Sequence, residues 1–209
     1  MSTGVFVTVD GPGGCGKSSV VTALDTVLAA RGHHVHPTAE PSTSPIGVFT
    51  RAHADQITGR ALACLVAADR HHHLDHEIRP ALSQGRTVVC DRYLASTLVL
   101  QRLDGVPEDY LLALNTGIHL PDLAVILTAA PKTITARLTA RGAHHRFEYD
   151  PGTPARELTL YQDAARTLGR LGVRVITVDT DHRTPTEAAR QIAGYLPDRT
   201  GSVGRATAT

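Results

Sequence analysis

The segment Gly11-Pro12-Gly13-Gly14-Cys15-Gly16-Lys17-Ser18, followed by Ser19, has the spacing G-x-x-x-x-G-K-[ST], a pattern suited to holding phosphate. The glycines permit tight backbone angles that turn successive amide N–H groups toward an anion. A helix starting where the loop ends adds its positive pole. Lys17 is then placed to reach the β- and γ-phosphates of a nucleotide, and the Ser18 hydroxyl to ligate Mg²⁺. A second cluster is Val88-Val89-Cys90-Asp91-Arg92-Tyr93, an apolar run ending in an acid and a base. In an open α/β sheet, ligands bind beyond the carboxyl ends of the strands. That puts Asp91 beside the metal and Arg92 beside a phosphate, where its planar fork suits bidentate contact. The plainer readings are a glycine-rich turn opening an ordinary helix and an inert, solvated Asp-Arg pair.

These residues need a scaffold, and the apolar patterning supplies one. Gly4–Val9 is β-rich and apolar on both faces, as a central parallel strand must be. After the glycine loop, Val20, Leu24, Val27 and Leu28 form one helical face that ends at Gly32. Further strands are expected over about 33–38, 86–91, 122–128 and 173–179. Helices are expected over about 60–79, 94–102, 107–117, 132–141, 155–171 and 185–196. Alternating strands and helices predict an α/β fold with a parallel sheet. Residues 39–48, rich in Pro, Ser and Thr, read as a loop, and 142–153 as a flap bounded by Gly and Pro. The small, polar stretch after Leu196 reads as a disordered tail.

Composition narrows the function. The chain has 209 residues, of which 42% are hydrophobic, enough for a core. Lys plus Arg number 21 against 20 Asp plus Glu, so no basic excess points to a nucleic-acid polymer as partner. No apolar stretch reaches membrane-spanning length and no signal-peptide pattern opens the chain. The three cysteines, Cys15, Cys64 and Cys90, lack CxxC spacing, which fits neither a disulfide scaffold nor a zinc site and makes the cytoplasm the expected location. No N-K-x-D segment for guanine ends a later strand, and Leu82-Ser83-Gln84-Gly85 is too short a likeness to an ABC-type signature.

The ordered set of motifs resembles the thymidylate kinase family of P-loop nucleoside monophosphate kinases, over about residues 3–196. The likeness is carried by the P-loop with leading Asp10, Glu40-Pro41, Ala67-Ala68-Asp69-Arg70, Asp91-Arg92-Tyr93 with Ser96 and Gln101, Pro121-Asp122-Leu123, Arg137 with Arg141, Arg146-Phe147-Glu148 and Val178-Asp179. The resemblance implies a P-loop NTPase fold, a three-layer α/β/α arrangement with a five-stranded parallel sheet and a lid. It implies transfer of the γ-phosphoryl group of ATP to a nucleoside monophosphate, with dTMP the leading acceptor, and a homodimer. One kinase domain is expected over 1–197, with the acceptor region at about 39–80, the lid at about 142–153, and a disordered tail over 198–209. By the same resemblance, Gly11 to Ser19 bind ATP, with Arg137 and Arg141 flanking the adenine and phosphates. Ser18, Asp10 and Asp91 surround Mg²⁺, partly through water. Arg70 and Arg92 hold the acceptor phosphate, Glu40, Pro41, Tyr93 and Ser96 line its pocket, and Arg146 closes over the transferring group. Lys17, Arg92, Arg146 and Asp10 make up the expected catalytic set.

Two departures bear on the base. The aromatic that the family places before A-x-D-R is Val66 here, and the second, past D-R-Y, is Leu100. Thr97 and Gln101 remain as polar readers. The readings left open are therefore dTMP as acceptor, another nucleotide or phosphorylated metabolite, and a regulatory nucleotide binder without catalysis. Among the 12 histidines, His71, His72, His73 and His76 read as a solvated helix face in preference to a metal site. Cys15 reads either as a small tolerated residue or as an oxidation-sensitive thiol.

Overall fold

The computed structural model describes residues 4–142 and 153–199, though not the Arg141 side chain. Five strands form one parallel sheet: β1 (Val5–Asp10), β2 (Val35–Ala39), β3 (Thr87–Asp91), β4 (Leu123–Thr128) and β5 (Arg174–Asp179), in the spatial order β2-β3-β1-β4-β5. The helices are α1 (Lys17–Ala30), α2 (Pro45–His53), α3 (Gly59–His73), α4 (Arg79–Ser83), α5 (Leu94–Leu103), α6 (Glu108–Leu114), α7 (Pro131–Arg141), α8 (Thr153–Arg170) and α9 (Pro185–Ala193).

Strand alternation divides the core into two layers, one on each side of the sheet. Phe6, Val88, Cys90, Ala124 and Ile126 pack with Leu74, Leu94, Leu98, Leu111, Tyr161 and Leu168. Val7, Val9, Val89, Val125 and Leu127 face the other way, onto Val20, Leu24 and Leu28 of α1 and Ala188 and Ile192 of α9. The expected three-layer α/β/α fold with five parallel strands is therefore present. Pro37 sits in β2, where an edge position tolerates its missing N–H.

The sequence reading needs correction in five places. Residues 45–48 are not loop. They open α2, with the Ser44 side chain accepting from the Gly47 N–H at 3.1 Å and Pro45 at the first turn. The helix expected over 60–79 runs on as α3, a π-helical segment at Leu74–Ile78 and α4, so Pro80 falls in the opening turn of a new helix. α6 ends at Leu114 and α9 at Ala193, each three residues short of the expected end. The expected tail begins too early: Asp198 Oδ1 accepts from Arg31 Nε at 2.5 Å, and Arg199 donates its N–H to the Arg31 carbonyl at 3.2 Å and its Nη1 to the Gly85 carbonyl at 2.6 Å. Residues 200–209 lie outside the described residues. No described helix is long and apolar enough to cross a membrane.

Candidate active site

β1 and β3 are neighbours with Val9 opposite Asp91, so the two chemical clusters leave the sheet at one end. Gly11 has φ 150°, and a Cβ there would meet the Leu127 carbonyl oxygen at 2.5 Å. The loop passes so close to β4 that only glycine fits. Gly16, at φ 90° and ψ 22°, turns the chain into α1, whose first residue is Lys17. The unbonded N–H groups of the first helical turn therefore border the loop. Ser18 and Ser19 are exposed beside it, while Lys17 is buried.

Lys17 Nζ donates to the carbonyls of Gly11 and Pro12, both at 2.8 Å. Burial, and then the nearby Arg92 charge, lower its pKa. An anion in the loop would reverse that shift, since an opposite charge favours the ammonium form. The loop is braced from behind by residues far away in sequence. The Gly13 N–H donates to Glu157 Oε2 at 3.2 Å, and the Thr180 hydroxyl donates to the Cys15 carbonyl at 3.0 Å. Arg137 donates from Nη1 to the Gly14 carbonyl at 3.5 Å and from Nη2 to the Thr180 carbonyl at 2.8 Å. Nothing in the sequence marked Glu157 or Thr180, which pair with the loop across more than a hundred residues. Burial pushes the Cys15 thiol up, so it is a small packed residue and not a reactive thiolate.

Asp91 Oδ2 accepts from the Ser18 hydroxyl at 2.7 Å, while its Oδ1 is buried without a hydrogen-bond partner. Asp10 Oδ1 accepts three bonds, from the Tyr93 N–H (2.9 Å), the Ser96 N–H (2.9 Å) and the Ser96 hydroxyl (2.7 Å). Its Oδ2 is likewise buried and unpartnered. Burial outweighs those bonds and raises the Asp10 carboxyl. Two orphaned carboxylate oxygens and a serine hydroxyl make a hard-oxygen donor set that fits Mg²⁺. Among the described residues no three His, Cys, Asp or Glu side chains cluster as ligands.

Arg92 is the only non-glycine residue at positive φ among the described residues, at 71°. Its N–H donates to the Val9 carbonyl at 2.9 Å, and the Cys90 thiol donates to its carbonyl at 3.0 Å. Burial pushes the Cys90 thiol well up, which keeps that proton in place. The strained backbone (P-loop on one side, open cavity on the other) is a hallmark of a functional position.

The cavity has a volume of about 320 Å³. Glu40, Pro41, Val66, Arg70, Arg92, Tyr93, Ser96, Thr97 and Gln101, all expected at the acceptor, line it together with Leu100. Asp10 lies beneath it, on Ser96. Sequence reasoning missed the contribution of α2, which brings Thr50 and Arg51, and that of Leu62 on α3. Thr50 and Arg51 reach the cavity because 45–53 is helical.

Arg70 differs from expectation. It is 1% exposed, and both Nε and Nη2 donate to Glu40 Oε2, at 2.8 and 2.6 Å. Nη2 also donates to the Thr97 hydroxyl at 2.8 Å and Nη1 to Asn115 Oδ1 at 2.6 Å. The guanidinium braces the pocket wall and does not offer a free fork to a phosphate. The Thr97 hydroxyl is correspondingly engaged, whereas Gln101 faces the cavity. Arg146, His144, His145 and nearly all of the expected lid lie outside the described residues, as does the side chain of Arg141.

The histidine run is not one solvated face. His72 and His76 stack, with ring centroids 4.0 Å apart, but His73 is buried against Glu40.

Comparison with known proteins identifies the family. The sequence model of the thymidylate kinase family matches residues 9–192. A probable thymidylate kinase of Caldivirga maquilingensis is 38% identical over 148 residues, 69% of this chain and 72% of that protein. A thymidylate kinase of Xanthomonas oryzae pv. oryzae is 39% identical over 150 residues, 69% of this chain and 65% of that protein. A probable thymidylate kinase of Pyrobaculum aerophilum is 34% identical over 147 residues, 69% of this chain and 74% of that protein.

Proposed function

The chain belongs to the thymidylate kinase family, and from that premise we propose that it transfers the γ-phosphoryl group of ATP to the phosphate of dTMP, giving ADP and dTDP. The observation that carries this reading is the junction at Asp91-Arg92. There a phosphate-binding loop tied to Asp91 through Ser18 adjoins a cavity of nucleotide size lined by Arg92.

Phosphoryl transfer asks for alignment and charge neutralisation more than for covalent help. The P-loop amides from Gly11 to Ser19 cradle the ATP phosphates. Lys17 exchanges its two loop carbonyls for phosphate oxygens and follows the charge that moves between them. Arg92 holds the acceptor phosphate in line, its backbone fixed by Val9 and Cys90. Ser18 and Asp91, with Asp10 behind them, would hold Mg²⁺, which when bound supplies positive charge to the phosphates. Arg137 flanks the adenine; by family resemblance Arg141 does so too, and Arg146 serves the transferring phosphoryl group. Glu40, Pro41, Tyr93 and Ser96 shape the acceptor pocket, Val66 and Leu100 offer the base an aliphatic slot, and Gln101 offers it an amide. Residues 1–197 act as one catalytic unit, as a cytoplasmic homodimer. No observation favours a different acceptor or a non-catalytic role.

The test is ADP release from Mg-ATP with dTMP, dUMP, UMP, CMP, dCMP, AMP, GMP or no acceptor. Saturable release that is greatest with dTMP is the expected result. Release with another monophosphate would reassign the acceptor, and ATP binding without acceptor-dependent release would remove the kinase reading.

A further inference from the structure

We infer that His73 is a positioning residue for the acceptor pocket: it clamps Glu40, and through Glu40 it holds the Arg70 guanidinium in the pocket wall. The inference rests on the acceptor-pocket assignment above and extends it to a side chain outside the pocket.

Glu40 divides its carboxylate between two partners. Oε2 takes both donors from Arg70, at 2.8 and 2.6 Å, which leaves Oε1 to His73 Nδ1 at 3.4 Å. All three side chains are nearly inaccessible: Arg70 is 1%, Glu40 6% and His73 2% exposed. On its other edge, His73 Nε2 meets the Thr38 hydroxyl at 2.8 Å and Glu77 Oε2 at 3.4 Å. Glu77 in turn meets His36 Nε2 at 2.9 Å. A polar chain thus runs from the half-buried His36 through Glu77, His73 and Glu40 to Arg70, and from there to Thr97 in the pocket wall and to Asn115 behind it.

The groups that bear on the imidazole are Glu40 after β2, Glu77 on the π-helical segment and Asp69 on α3, with Arg70 opposing them through Glu40. Burial works against the imidazolium form, but the bond to Glu40 and the charges of Glu40, Glu77 and Asp69 outweigh it and raise the His73 pKa. A protonated His73 donates from Nδ1 to Glu40 Oε1 and from Nε2 to the Thr38 hydroxyl, with the Glu77 carboxylate 3.4 Å from Nε2. Without it Glu40 Oε1 would be left in a dry site with no donor, and Glu40 could then rotate and release Arg70. The sequence reading grouped this residue with its neighbours as a surface run; its position at the end of α3, just before the π-helical segment, turns it inward instead.

The test uses the full chain with His73→Ala and His73→Asn, the second keeping a donor at the Nδ1 position. The expected result for His73→Ala is a KM for dTMP raised about tenfold, as for a buried carboxylate losing one hydrogen bond, with kcat and the KM for ATP close to wild type. His73→Asn should recover most of that loss. Independently of turnover, the Arg70 Nε–H should exchange slowly with solvent by NMR in wild type and in His73→Asn, and rapidly in His73→Ala. The His73 imidazole should titrate above an ordinary histidine and fall in Glu40→Gln. Unchanged dTMP KM together with unchanged Arg70 exchange in His73→Ala would overturn the inference, as would equal losses for both substrates that His73→Asn does not rescue. Should His73→Ala fail to fold, a wild-type imidazole pKa that Glu40→Gln leaves unmoved overturns it equally. If wild type does not use dTMP, the acceptor assignment fails, while the exchange and titration results still decide whether His73 holds Arg70.

Discussion

Arg92 carries two opposed contributions that substitution can separate. Its backbone stands at φ 71°, a region that costs an L-residue about 1–2 kcal/mol, and its side chain lines the acceptor cavity. Arg92→Gly removes the strain but adds about 0.5–1 kcal/mol of unfolded-state entropy, so its net stability should lie within about 1 kcal/mol of wild type. Arg92→Ala keeps the strain. The glycine variant should therefore be the more stable of the two by about 1 kcal/mol, or about 2–4 °C in Tm for a chain of this size. Both variants remove charged hydrogen bonds to the acceptor phosphate, worth about 1.5–3 kcal/mol each. Losing two of them should cost at least about 100-fold in kcat/KM for dTMP. Arg92→Lys should recover only part, because an ammonium restores the charge and not the fork. The assays are thermal melts and coupled ADP release at varied dTMP. Equal melting of the Gly and Ala variants would refute the strain argument. A kcat/KM within about threefold of wild type would move the acceptor phosphate away from Arg92.

Other consequences can be checked with the same assays. Lys17→Ala should lower turnover by about 100-fold or more with little change in fold, since among the described residues Nζ bonds only groups of the phosphate loop itself and braces no other element; near-normal turnover would sink the P-loop assignment. Because burial and Arg92 lower the Lys17 pKa in the free loop, bound phosphate should raise it again. ATP binding at alkaline pH should then take up protons, seen as a dependence of calorimetric heat on buffer ionisation, and a buffer-independent heat would contradict this. Asp91→Asn should raise the Mg²⁺ needed for half-maximal rate by about tenfold or more, an effect absent if the ion is held elsewhere. Val66→Phe should tighten dTMP binding by the roughly 1–3 kcal/mol of one stacking contact, and unchanged affinity would mean that the base does not lie against position 66.

The parts legible in the sequence were those with local causes. The P-loop glycines, the two-faced apolar strands and the Asp91-Arg92 strand end each announce themselves within about ten residues, and the strand register then puts Asp91 beside Ser18. α2 was hidden because Pro and Ser were read as loop formers, although Ser44-Pro45 is also a helix-opening pair. With α2 went Thr50 and Arg51 of the cavity. The buried side of the site depends on contacts that no spacing encodes. Glu157 reaches Gly13 from α8, Thr180 reaches Cys15 from beyond β5, and Asn115 reaches Arg70 from the end of α6. Arg70 looked like a phosphate ligand because its sequence neighbours do not reveal that Glu40 already occupies it.

The three thiols occupy very different environments. Cys15 and Cys90 are buried and burial raises both, whereas Cys64 stands exposed on α3, its Sγ 3.5 Å from the Tyr110 hydroxyl. A maleimide dye should therefore modify the unaltered protein at one site, without prior removal of cysteines. Cys64 is two residues from Leu62 and from Val66, both in the cavity wall. A fluorophore there would stand on the helix that the acceptor touches, and its emission could follow acceptor arrival in real time, before any phosphoryl group moves.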